Sequence, residues 1–482
     1  RNSDTHYTGY TSAPVFSETA LYQTETFLLT LTCSDPNAVI YYTSDGSEPT
    51  NASKRYTEPL SILKNRVIRA VAYSDGLLKS EVVTYHYLFV EPHTVPVVCM
   101  AIEPDAFKKL YKVTLHKQIK GTESKAQFNY YEADGLIGTT FPADVKCKGQ
   151  GTLKYAQKSL SVHLRGQYGM STLDYPLFPD YPYTSFGSLV LRNGGQENGR
   201  SRIVDSFVSR ASIGMNVEVA DSRPVALYVN GEYYGIFELG EDLNADFLET
   251  HYGADKDLVD LVRYNGDVAT HGSSKDWVAL RNYAKKATLK DDAEYQAYLE
   301  QIDEAYFIDY LIARTFFCDT DMINQKYWRV RGSIKWRPLL FDLDLALRQV
   351  GRVDVMDKYF SFNVVESPHG YKSKFYVFAA LKSNKGFCQK FVERYVEILY
   401  TQYDTERLLN LLDQMIAEYE SEMPRQIKKW GNPSSMTTWN KYLDGVRSFI
   451  KGRRDVMISK LKKTFKISDS EMDALIAKYQ QP

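Results

Sequence analysis

The chain has 482 residues, enough for two to four domains, and its 44% apolar and 25% charged residues suit a globular protein with a sizeable core. Fifty-nine Lys and Arg against 60 Asp and Glu exclude whole-surface attraction to nucleic acid or anionic lipid. No apolar run reaches the length of a membrane span, and the five cysteines form no CxxC or Cys/His metal framework.

The opening RNSDTHYTGY is polar and lacks an initiator Met, as expected after removal of a signal peptide or trimming of the chain. Residues 12–90 then alternate short apolar runs (TFLLTLTC, AVIYYTS, RVIRAVAYS, EVVTYHYLF) with turn sequences such as TSDGSEPT and SDGLLKS. This punctuation predicts a small antiparallel, immunoglobulin-like sandwich. VEPHTVP (90–96) reads as an extended connection because residues before proline avoid the helical region. LYKVTLHKQIK, AQFNYYEADG and SLSVHLRG are predicted strands, and 202–214 is predicted helical. In RPVALYVNGEYYGIFELGE (223–241), Asn230-Gly231 between two apolar runs predicts a hairpin with a type I′ turn. Helical periodicity dominates after 241, interrupted by a predicted strand pair, KYWRVR and KWRPLLFDLD, and resumes to about 470. Strands first and helices second make an α+β chain: a sandwich (12–90), a core (97–365) and a helical C-terminal extension (366–475).

The densest polar cluster is CDTDMINQKYWRVRGSIKWRPLLFDLDLALR (318–348), with Asp319, Asp321, Asn324, Asp342 and Asp344. In an extended segment Asp342 and Asp344 would face the same side, toward the preceding loop. Such oxygen donors suit a hard divalent cation, and a positioned carboxylate beside them suits phosphoryl transfer. The same residues equally fit a solvated acidic loop, a metal-dependent hydrolase or the acid pair of a glycosidase. A cation for phosphates is sought at GQGTLKYAQKSL (149–160), where Gly149 and Gly151 permit close backbone approach and Lys158 enters a strand. This is no P-loop, and a plain turn with an exposed strand lysine explains it as well. Glu238 and Glu241 would orient Lys158 or a metal, or form a surface pair. The 37 tyrosines fit either one-sided strands and helices or a groove for a polymer or protein partner.

Taken together, GQGTLKYAQKSL, YPLFPD (175–180), LVLRNGGQE (189–197), RPVALYVNGEYYGIFELGE, DTDMINQKYWR (319–329) and PLLFDLDLAL (338–347) resemble the CotH kinase family, known from spore-coat protein H and secreted bacterial relatives. The resemblance implies an atypical protein-kinase-like domain using ATP and Mg²⁺ or Mn²⁺. It implies Lys158 as the phosphate lysine, with Gly149 and Gly151 beside it, and Asp319 as the catalytic aspartate. Asn324, Asp342 and Asp344 become metal ligands, and Glu241 matches an acidic position in the nucleotide site. The implied acceptor is a Ser or Thr of a secreted or surface protein. Phe341 stands where the family commonly has Trp, and ELGEDLN and Thr152-Leu153-Lys154 also depart from its pattern. An inactive nucleotide-binding or glycan-binding surface protein is the alternative. Residues 40–62 and 67–87 resemble the chitobiase/β-hexosaminidase C-terminal type of sandwich, which implies export and glycan or protein contact through that module.

Overall fold

A computed structural model describes residues 7–112, 122–179, 181–264, 266–366 and 372–480. The chain divides into two compact units: Arg1–Asn193 with Arg223–Leu239 and Glu418–Gly431, and Gly194–Ser222 with Gly240–Ala417 and Asn432–Pro482.

The first unit begins with the expected sandwich. One sheet runs Lys54–Arg55, Val39–Thr43, Arg66–Tyr73, Val83–Tyr87, and the pairs Phe27–Leu29/Leu60–Ile62 and Val15–Phe16/Leu31–Thr32 complete it. Leu29, Ile40, Ile62, Ile68, Ala70 and Tyr87 form its core, so the β-branched and aromatic residues of the apolar runs point inward.

A seven-stranded closed barrel follows, ordered Ser124–Tyr131, Ile137–Lys148, Ser159–His163, Ser188–Arg192, Glu232–Glu241, Ser222–Val229, Val97–Ile102. The last two strands are parallel. Met100, Phe128, Val162, Leu191, Leu227 and Phe237 fill its interior. The hairpin at Asn230-Gly231 forms as expected, with φ of 51° and 87°. Asn230 also exchanges side-chain bonds with the Ile102 backbone, at 2.9 and 2.8 Å.

The strand expected from residue 110 is corrected at its start. Pro104–Tyr111 is a helix, opened by proline in its first turn and burying Leu110. Phe107, Leu110 and Tyr111 are spaced as one helical face; residues 113–120 of that expectation lie outside the described residues, as does Asp180 of YPLFPD.

In the second unit a four-stranded antiparallel sheet, Val268–His271, Val259–Arg263, Lys326–Val330, Ile334–Leu339, packs with helices. Helix Glu304–Phe316 buries ten consecutive residues from Phe307, and helix Met436–Phe465 buries Trp439, Leu443, Val446, Ile450, Arg453 and Met457 along one stripe. Buried Arg453 donates to the carbonyls of Thr315 and Phe316, both at 2.6 Å, and so caps the C-terminus of helix Glu304–Phe316. Among the described residues no helix is long and apolar enough to cross a membrane.

Candidate functional site

Helix Glu304–Phe316 delivers the chain to the acidic loop, and Cys318 turns it with φ of 54°. Asp319 then points inward. Its carboxylate lies 2.6 Å from the Arg314 guanidinium, and both side chains are fully buried. Burial pushes the Asp319 carboxyl up to about 7, opposed by Arg314. Asp319 also accepts from the Asp321 backbone N–H at 3.0 Å, while Arg314 donates to the Asp321 carbonyl at 2.7 Å and to the Tyr359 hydroxyl at 3.1 Å. The pair therefore fastens the loop from below. In this arrangement the Asp319 carboxylate is engaged by Arg314 and the Asp321 N–H, and the base role the resemblance implies would require its release.

Asp321 and Asn324 of the loop are half-buried rather than enclosed. The Asn324 amide donates to Asp321 Oδ2 at 2.9 Å and to Asp342 Oδ2. Three residues from two segments thus meet, two carboxylates with one amide between them. Burial, and after it the charge of Asp342, raises the Asp321 carboxyl.

Asp342 and Asp344 do not share a face. The strand ends at Leu339, and Asp342 takes φ of 56°, a left-handed conformation that breaks the two-residue alternation. The buried Asp344 instead accepts from the Gln196 backbone N–H at 2.8 Å, beside Gly195. Gly195 has φ of 54°, and a Cβ there would overlap the Asp344 carboxylate. Between the two acids, the Leu343 N–H donates to Asp205 Oδ1 at 2.6 Å. Glu241 is buried and bonded to His251 Nε2 at 3.0 and 3.2 Å, with the Phe247 ring 3.7 Å from the imidazole.

In the first unit, Lys158 precedes strand Ser159–His163 and is buried, not exposed. Its ammonium folds back over the glycine-rich turn, donating to the Leu153 carbonyl at 2.5 Å and the Tyr155 carbonyl at 2.9 Å. Burial lowers its pKa. Gly149 has φ of 114°, and a Cβ there would overlap the Thr152 hydroxyl; Gly151 opens a short 3₁₀ turn with nothing near its missing Cβ.

Arg314, Arg453, Asp205 and Gln196 carry these geometries without having been singled out in the sequence. Arg314 alone left a local signal, a charge inside the apolar run YFIDYLIARTFF. The others depend on partners far along the chain.

Among the described residues no three His, Cys, Asp or Glu side chains are grouped to hold a metal. The oxygen donors of Asp321, Asn324 and Asp342 nevertheless fit Mg²⁺, which takes one or two carboxylates and completes its octahedron with water and substrate phosphates. Rotation of the Asn324 amide would present its oxygen in place of its NH₂ group, and like-charged carboxylates held together favour a cation between them.

Residues 145–457 match the family model described as CotH kinase protein, and residues 29–87 match the one described as Fn3 associated, over the expected sandwich. No curated protein matches the chain. A solved structure titled as that of the Golgi casein kinase aligns over 72% of this chain and 71% of its own, with 9% identity and a TM-score of 0.29. Since the matched segment spans more than half of the sequence, the chain belongs to the CotH kinase family and carries a kinase-like α+β fold behind an Fn3-associated module.

Proposed function

We propose that this protein transfers the γ-phosphoryl group of ATP, with Mg²⁺ or Mn²⁺, to a hydroxyl, and that the acceptor is a Ser or Thr of a secreted or cell-surface protein. The observation that carries the reading is the meeting of Asp321, Asn324 and Asp342. Asn324 and Asp342 hold the metal, whose charge, when bound, offsets that of the phosphates. Asp321 faces the acceptor and takes its proton, because Asp319 is enclosed with Arg314. Asp319 and Arg314 keep the loop in register beneath it. Asp344 orders the Gly195-Gln196 turn by accepting its N–H. Lys158 turns from the carbonyls of Leu153 and Tyr155 to the nucleotide phosphates, and Gly149 lets the backbone approach them. Glu241, held by His251, supplies the acidic position of the nucleotide site. The Fn3-associated module makes a protein or glycan contact.

Calorimetry of Mg-ATP with the full chain and its Asp342→Ala variant tests the reading. Binding that needs Mg²⁺ and disappears in a folded Asp342→Ala variant is the expected result. Equal binding by both forms, or none by the folded parent, would overturn it.

A further inference from the structure

Lys158 immediately precedes strand Ser159–His163, and its neighbour Gln157 is held by a helix from far along the chain. Within the first unit, Gln157 and Gln426 lie 269 positions apart, yet Gln426 Nε2 donates to Gln157 Oε1 at 3.0 Å. Gln157 Nε2 donates to the Ile236 carbonyl at 3.0 Å, and the Ile236 N–H donates to Gln426 Oε1 at 2.8 Å. Two buried side-chain amides and the backbone N–H and C=O of Ile236 thus close a ring of three hydrogen bonds.

A second route runs through aromatic rings. Trp430, the last residue of helix Met423–Trp430, donates its indole N–H to the Tyr234 carbonyl at 2.7 Å and meets the Tyr234 ring edge-on at 5.4 Å. Tyr234 in turn meets Tyr111 edge-on at 5.4 Å. The Tyr111 hydroxyl accepts the Lys158 backbone N–H at 3.0 Å.

Gly235 marks where both routes converge. It has φ of 109°, and a Cβ there would lie 2.6 Å from Gln426 Oε1, 2.7 Å from Gln157 Nε2 and 2.7 Å from Trp430 Nε1. Mere apolar cover of a sheet would require neither two buried glutamines nor this missing side chain. The helix is also tied at its start: buried Glu422 accepts the Thr94 N–H at 2.9 Å and pairs with His93 at 2.7 Å.

We propose that Gln426 and Trp430 are positioning residues for Lys158, holding the backbone at 157–158 through Gln157 and Tyr111 so that its ammonium is presented at the turn 149–155. The functional half of this inference rests on the phosphate role proposed for Lys158.

The test uses the full chain. The acylation rate of Lys158 by an N-hydroxysuccinimide acetate is read by peptide mass spectrometry against exposed Lys64, and Mg-ATP affinity is read by calorimetry. Gln426→Met keeps volume but removes the amide, and Trp430→Phe keeps a ring but removes the N–H. Each is expected to raise relative Lys158 labelling about fivefold and to weaken Mg-ATP by a similar factor, the effect of one lost hydrogen bond. Ile62→Val, in the sandwich core of the same unit, should change neither. Unchanged Lys158 labelling in folded Trp430→Phe and Gln426→Met, or an equal rise in Ile62→Val, overturns the proposal. A parent that binds no Mg-ATP removes the phosphate role, while the labelling comparison still decides the positioning.

Discussion

Arg314→Met tests whether Asp319 is a structural anchor. Both charges are fully buried and 2.6 Å apart, so removing one leaves the other uncompensated in a medium that solvates it poorly. The expected loss is about 3–5 kcal/mol. It includes the donations from Arg314 to Tyr359 and the Asp321 carbonyl. Arg314→Met with Asp319→Leu exchanges the pair for apolar volume and should recover most of that loss. The pH dependence has a definite sign. Asp319 is pushed up to about 7 from its ordinary 3.8. A carboxyl with a raised folded value contributes stability that is complete below about pH 4 and is lost as pH rises through about 7. Without Arg314 the folded value climbs further and the loss continues into alkali, so the single variant's deficit is larger at pH 8 than at pH 5. Urea unfolding of the full chain at both pH values, followed by tryptophan fluorescence, reads this in the unit that holds Trp328 and Trp336. A single variant within about 1 kcal/mol of the parent at pH 8, or a double variant less stable than the single, would refute the anchor.

Gly195→Ala places a methyl group on the Asp344 carboxylate at a left-handed backbone position and should cost about 1–3 kcal/mol, measured by thermal unfolding. Gly151→Ala, with open space at its Cβ, should stay within about 0.5 kcal/mol of the parent; the same loss at both positions would contradict the packing argument. All five cysteines are unpaired, and burial raises the thiols of Cys99 and Cys318 and pushes that of Cys147 up to about 12. A thiolate-selective reagent at pH 8 should label half-buried Cys33 in the folded chain and reach Cys99 and Cys318 only on unfolding; rapid labelling of Cys99 in the folded protein would contradict its burial.

Much of the architecture was legible because it depends on neighbours in the chain. Turn residues between alternating runs announced the sandwich, Asn230-Gly231 announced its hairpin, and three- and four-residue spacing announced the helices from 245 onward. Asp319, Asp321, Asn324 and Asp342 fall within 24 consecutive residues, so their grouping was visible as composition alone. Their directions were not. Alternation placed Asp342 and Asp344 on one face, but the left-handed turn at Asp342 and the bond from Gln196 to Asp344 separate them. Neither the burial of Lys158 nor the enclosure of Asp319 could be read from the sequence. Sequence by itself determined where most strands and helices form, helix Pro104–Tyr111 and strands Val259–Arg263 and Val268–His271 excepted, and which residues could supply oxygen donors, since periodicity records which face avoids water. Only the tertiary structure decided which of those donors stay open and which are consumed as anchors. A buried charge or amide must find its partner wherever the fold brings one, and Arg453, Gln426 and Asp205 reach theirs across more than a hundred intervening residues.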